Sequence, residues 1–174
     1  LPNAMTSDPP LKQVTTGTLE GGVRATHRTL SWNAGYFLAT NRDDILFVAS
    51  EQTGFGYFRN VGTTRRQGVE TSARVTLPRI TLGGGYTWLD ATFRTPVTLN
   101  GTSNSANDAE APGLDGTIHV QPGNRLPFIP RHVGKAWAEL RATGRLSLDV
   151  SLQAATGTLA RGNENNAHQI GRAH

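Results

Sequence analysis

Asp108, Glu110 and Asp115 lie close together between Asn100 and Gly123, and closely spaced carboxylates are the raw material of a calcium site. Their spacing matches no EF-hand loop, so the segment reads as a solvated acidic loop. Asp43 and Asp44 read the same way, as polar groups where a strand ends. The five histidines are His27, His119, His132, His168 and His174. They are widely separated, and none forms the HExxH or i,i+4 pair of a catalytic zinc site. The absence of cysteine excludes disulfide scaffolds and thiolate zinc sites. No serine sits in a GxSxG context, and Gly83-Gly84-Gly85 matches neither phosphate-loop pattern. Hence no catalytic, cofactor-binding or metal-ligating residue is assigned, no cofactor is expected, and the chain reads as a non-enzyme.

Composition narrows the class. Of 174 residues only 36% are apolar, below the typical 45–50% or so, a range that counts glycine. That suits a wall presenting every second residue to lipid, and equally a loop-rich soluble β-protein. The longest apolar run, Ile45 to Ala49, is far too short for a transmembrane helix. Leu1-Pro2-Asn3-Ala4 carries no secretory leader pattern, so the chain is expected to be an internal piece of something longer. The net charge of +4 arises from scattered basic residues, densest at Arg65-Arg66 with Arg59 nearby. No basic stripe interleaved with aromatics appears, so nucleic acid is not an expected partner.

The elements that must position any site show a rhythm. Three tight turns, His27-Arg28-Thr29, Leu77-Pro78-Arg79 and Thr143-Gly144-Arg145, alternate with insertions at Asp43 to about Phe55 and Thr95 to Pro130. Outer-membrane barrels have this asymmetry, with short inner turns and long outer loops. Between them the sequence predicts six long strands of period-2 hydrophobicity. Leu146, Leu148, Val150 and Leu152 alternate with Ser147, Asp149, Ser151 and Gln153. Ile80, Leu82, Gly84, Tyr86 and Trp88 oppose Thr81, Gly83, Gly85 and Thr87. Trp32, Ala34, Tyr36, Leu38 and Thr40 form another apolar face, and Val69, Thr71, Ala73 and Val75 alternate with Glu70, Ser72 and Arg74. In the first strand Leu19, Gly21, Val23 and Ala25 oppose Glu20, Gly22 and Arg24.

Eight steps from Ile80 to Trp88, tilted by roughly 40°, span about 20 Å along a membrane normal, close to the roughly 25 Å apolar band of such barrels. Trp88 is then expected at the outer interface and Trp32 at the inner one. Charged residues fall on the face assigned to a wet lumen, where Glu20 and Glu70 are expected to pair with arginines. Trp137 shares its face with Lys135, Glu139 and Arg141, which means either an indole in the lumen or a bulge that shifts register. A soluble antiparallel sheet with one wet face gives the same alternation. Its function would be binding glycans or proteins through its loops.

The wording of the sequence is more specific. Asp8-Pro9-Pro10-Leu11-Lys12-Gln13-Val14 leads into Thr18-Leu19-Glu20-Gly21-Gly22-Val23-Arg24. Trp32-Asn33-Ala34-Gly35-Tyr36-Phe37, Asn41-Arg42-Asp43-Asp44-Ile45, Phe58-Arg59-Asn60-Val61-Gly62 and Thr64-Arg65-Arg66-Gln67-Gly68-Val69-Glu70 follow in order. Tyr86-Thr87-Trp88-Leu89-Asp90-Ala91-Thr92-Phe93 and Gly123-Asn124-Arg125-Leu126-Pro127-Phe128-Ile129-Pro130-Arg131-His132 complete the series. It resembles the C-terminal part of the barrel of TonB-dependent outer-membrane receptors over about residues 3 to 166.

That resemblance implies an all-β fold, an antiparallel meander within a transmembrane barrel of about 22 strands. It implies residence in the outer membrane of a Gram-negative bacterium, contact with lipid and with the rest of the barrel and plug, and TonB engaged through the plug. The implied cargo is a ferric siderophore or similar scarce nutrient. The chain is expected to be a fragment without plug, TonB box or terminal strands. Residues 1–166 are read as barrel, and 167–174 as a non-barrel tail. Two unpaired sheet edges predict that the fragment expressed alone is insoluble.

Overall fold

The computed structural model describes residues 4–5, 7–50, 55–100, 117–144, 146–159 and 169–170. In chain order the strands are β1 (Ala4–Met5), β2 (Thr15–His27), β3 (Leu30–Arg42), β4 (Ile45–Ala49), β5 (Phe55–Asn60), β6 (Thr64–Thr76) and β7 (Ile80–Phe93). They continue with β8 (Val97–Asn100), β9 (Thr117–Val120), β10 (His132–Thr143), β11 (Leu146–Ala155), β12 (Thr158–Leu159) and β13 (Gln169–Ile170). Six of them, in the order β11-β10-β7-β6-β3-β2, form one antiparallel meander. These are the long strands that the alternation predicts.

The tight turns join strands at one end of this sheet. Leu30 pairs with His27 across Arg28-Thr29, and Arg28 adopts a left-handed φ of 51° to close the turn. At the second turn the Leu77 amide donates to the Ile80 carbonyl at 2.8 Å. Pro78 sits where its missing N–H costs no ladder bond. At the third, Thr143 pairs with Leu146 after a register shift beyond Arg141, and Arg145 lies outside the described residues.

Register places the faces as the alternation requires. Ile80, Leu82, Gly84 and Tyr86 pair with Leu140, Ala138, Ala136 and Gly134, and these in turn with Leu148, Val150, Leu152 and Ala154. No register shift occurs between β7 and β10. Trp137 therefore lies on the polar face opposite Gly83, which settles the choice between a lumen indole and a bulge. A Cβ at Gly83 would collide with the Trp137 ring, so glycine there makes room for the indole. At Gly68 a Cβ would meet the Trp88 carbonyl and the Phe37 ring, the latter at 2.8 Å.

The insertions depart from the expected polar loops. The first extends to Thr63 and contains the β4–β5 hairpin. The second contains the β8–β9 hairpin, with Val97 opposite Val120 and Leu99 opposite Ile118. Asp108, Glu110 and Asp115 lie outside the described residues. So do His168, His174 and most of the expected tail, although Gln169 and Ile170 pair with Leu159 and Thr158.

The dry interior is small and lies at the end opposite the turns. Val61, Ala91, Phe93, Ile118, Val120 and Leu126 form it, flanked by Leu46, Leu89, Val97, Leu99 and Ile129. Ala91 and Phe93 follow Gly83, Gly85, Thr87 and Leu89 on the polar face of β7, so the hairpins fold over that face.

Candidate functional site

The sheet presents two surfaces with opposite solvent requirements. On the apolar one, Leu146, Leu148, Val150 and Leu152 are 57–71% exposed. Leu19, Val23, Tyr36, Leu82 and Tyr86 are exposed as well. Burying a leucine or valine contributes about 1.5–3 kcal/mol. A continuous face of them has no protein covering among the described residues and calls for lipid.

The edge of this apolar surface is chemically marked. Tyr36, Val69, Trp88 and His132 lie on one register row, with Tyr86 on the next. The Tyr86 hydroxyl and His132 Nδ1 share a 2.6 Å hydrogen bond, and the rings stack at 6.0 Å. One row further out, beside Leu38 and Leu19, β6 and β7 turn polar. Gln67 donates to Asp90 at 3.3 Å, and Asp90 pairs with Arg131 at 3.2 Å. Amphipathic rings followed by paired charges are what a lipid–water boundary favours. Trp32 lies toward the turn end, consistent with the expected inner interface.

The polar surface is banded. Arg24, Asn33, Ser72, Gly85, Lys135 and Gln153 fall on one row. Arg74, Gly83 and Trp137 share the adjacent row toward the turns, and the Arg74 guanidinium stands 5.1 Å from the Trp137 ring centroid. The pairs expected between Glu20 or Glu70 and neighbouring arginines do not form. Among the described residues the ion pairs are Arg66–Asp44, Arg131–Asp90 and Arg141–Glu139. Glu20 and Arg24, like Glu70 and Arg74, are four residues apart on one strand, about 13 Å, too far for contact. Arg74 faces the indole instead.

At the outer rim the loops are tied to the wall by buried polar groups. The Asp44 carboxylate accepts from Thr64 Oγ1 and from the Ile45 amide, and pairs with Arg66 at 3.0 Å. Its backbone bonds Gly62 and Val61, so one residue closes the first insertion onto β6. Asp44 is thus saturated by protein, in keeping with its reading as strand-exit chemistry. Gly62, at φ 81°, lies against the Thr95 hydroxyl, which also accepts from the Thr63 amide at 2.9 Å. Arg59 bridges the two insertions by donating to the Thr98 carbonyl at 3.2 Å. The stretch after Gly123 returns alongside β7. There the Phe93 amide donates to the Asn124 carbonyl, the Leu126 amide to Ala91 and the Leu89 amide to Arg131. Leu126 is buried in the core, while Phe128 is exposed at a left-handed φ of 59°.

Sequence reasoning missed the role of the first segment. Asp8 accepts from the Phe58 amide at 2.8 Å, and Asn60 makes reciprocal bonds with the Lys12 backbone. Two separated words of the sequence are therefore one contact. The hairpin strands β8 and β9 were missed as well, because Val97 with Leu99 and Ile118 with Val120 give only two apolar positions each. Of the described histidines, His27 ends β2, His119 is exposed on β9 and His132 bonds Tyr86. They do not converge.

This arrangement suits a wall between lipid and water, with a rigid rim at one end. A family model described as TonB dependent receptor-like, beta-barrel matches residues 2–172. Its members are outer-membrane receptors and transporters rather than enzymes. The antiparallel meander, the unpartnered apolar face and that match lead to one conclusion: the chain belongs to the β-barrel family of TonB-dependent receptors.

Proposed function

We propose that this chain supplies wall and outer rim to a receptor that imports a ferric siderophore or similar scarce nutrient across the outer membrane of a Gram-negative bacterium. The tight turns face the periplasm, and the two insertions face outward and help to capture the cargo. A plug elsewhere in the receptor contacts TonB and relays energy. Residues 1–166 act as barrel, and 167–174 as a tail outside it.

The observation that carries this reading is the rim. Its core and the Asp44–Thr64–Arg66 network hold both insertions over the polar face, where a ligand entering the lumen would pass. A rigid wall presenting variable loops is the usual design of a binding surface. The soluble alternative requires Leu146, Leu148, Val150 and Leu152 to pack on a second sheet, and their exposure of 57–71% disfavours it.

Uptake of radiolabelled ferric siderophores by cells with and without the receptor tests the proposal. The expected result is a loss of TonB-dependent uptake for one chelate class. Unchanged uptake of ferric siderophores, cobalamin and oligosaccharides alike would overturn it.

A further inference from the structure

Among the described residues the polar face holds three cations without an ion-pair partner. None of Arg24, Arg74 and Lys135 takes part in the ion pairs among the described residues, which are Arg66–Asp44, Arg131–Asp90 and Arg141–Glu139. Together with Trp137, Asn33 and Ser72 they border one recess of about 550 Å³. We infer that this recess is a docking surface for an acidic, extended polypeptide segment lying across the strands, with Arg74 and Lys135 as its principal carboxylate contacts. The inference rests on the reading of the polar face as a lumen wall.

Dimensions favour a polypeptide over a small anion. Arg24 and Lys135 share a row but are separated by four strand spacings, about 19 Å along the sheet. A small anion cannot reach both, whereas about six residues of extended chain can. The surface between them is shaped for close approach. Asn33 and Ser72 are bonded to each other at 2.7 Å and offer remaining polar capacity. Gly85 adds no side chain of its own to this row, whereas Gly83 on the next row is taken up by the Trp137 ring. The Trp137 ring beside Arg74 restrains the guanidinium, which lowers the entropy lost when it grips a carboxylate.

Charge also sets the height of the segment. Glu20 and Glu70 flank the glycine pair Gly22–Gly35, with Glu70 one row and Glu20 two rows outward from Arg24. An acidic segment that slid outward would meet these carboxylates. On the turn side Glu139 is already bonded to Arg141 at 3.1 Å, and Asp149 pairs across from it in the ladder. Among the described residues the cation rows therefore lie between acidic rows, and this level of the wall attracts an acidic chain.

The test is a photo-crosslinking residue at Ser72 in the intact receptor in its outer membrane, with the captured peptide sequenced. The expected product contains at least two Asp or Glu residues, and its yield falls about tenfold in the Arg74→Gln/Lys135→Gln receptor. Yield should also fall when salt is raised and persist in Arg74→Lys/Lys135→Arg, which keeps the charges. Heat-modifiable migration on gels reports an intact barrel in each variant, so failure of the barrel reading is seen separately. If the neutral pair does not fold, the salt series on the unaltered receptor decides. Capture of a neutral or basic segment, a salt-independent yield, or no crosslinked peptide from an intact barrel would each overturn the inference.

Discussion

The outer rim and the wall below it are stabilised by different media. At the rim Phe93, Leu126, Val61 and Val120 are almost wholly buried in protein, and the buried Asp44 is matched by Thr64 and Arg66. In the wall β2 and β11 are exposed along their whole length, and among the described residues neither of their faces has a protein core. The rim is organised like a small soluble domain, with apolar groups inward and polar groups paired. The wall inverts that order, with apolar groups outward and charges toward water inside. One chain can hold both because strand alternation lets each face of β7 change partner along its length. Its polar face runs from Thr81 past Gly85 into Ala91 and Phe93.

Substitutions in the rim and in the wall should separate the two media. The largest effect is expected for Phe93→Ala, about 3–5 kcal/mol of lost stability by urea unfolding, because the cavity lies in a protein interior. The loss should be the same in detergent and in lipid. Leu152→Arg comes next, at about 2–4 kcal/mol in bilayers, as it puts a charge near the middle of the apolar band. Ser151→Arg, one residue away on the polar face, should stay within about 0.5 kcal/mol. Equal losses for these two would erase the distinction between the faces. Asp44→Ala should cost about 2 kcal/mol, below the usual value for a broken buried pair because Arg66 is 29% exposed. That loss should appear as earlier proteolysis of the β4–β5 hairpin while the wall stays intact. Tyr86→Phe should cost about 1 kcal/mol through the lost bond to His132.

How much of this was legible in sequence follows from the same division. The wall was readable because one residue in two faces lipid along its whole length, and Leu146 to Gln153 show that without interruption. Its register followed from turn and alternation together, and Trp137 was ambiguous only because nothing local revealed the space over Gly83. The rim was harder. Its strands β8 and β9 have four residues each, too few for periodicity to stand out from the polar sequence around them. Asp8 and Phe58, or Lys12 and Asn60, meet across about fifty positions, and no local pattern encodes such a pairing. The expected pairing of Glu20 and Glu70 with arginines failed on distance, since residues that share a strand face are spread out along it.

The most direct test of the two-faced wall exploits the absence of cysteine from these 174 residues. Single cysteines at Leu148, Val150, Ser151 and Gln153, in the receptor reconstituted in vesicles, would carry an environment-sensitive fluorophore. A lipid-borne quencher and a water-soluble quencher would then be compared at each position. Strict alternation is expected, with positions 148 and 150 quenched from the lipid and 151 and 153 from water. Equal quenching from water at all four positions would contradict it, because the apolar face of β11 would then not meet a membrane.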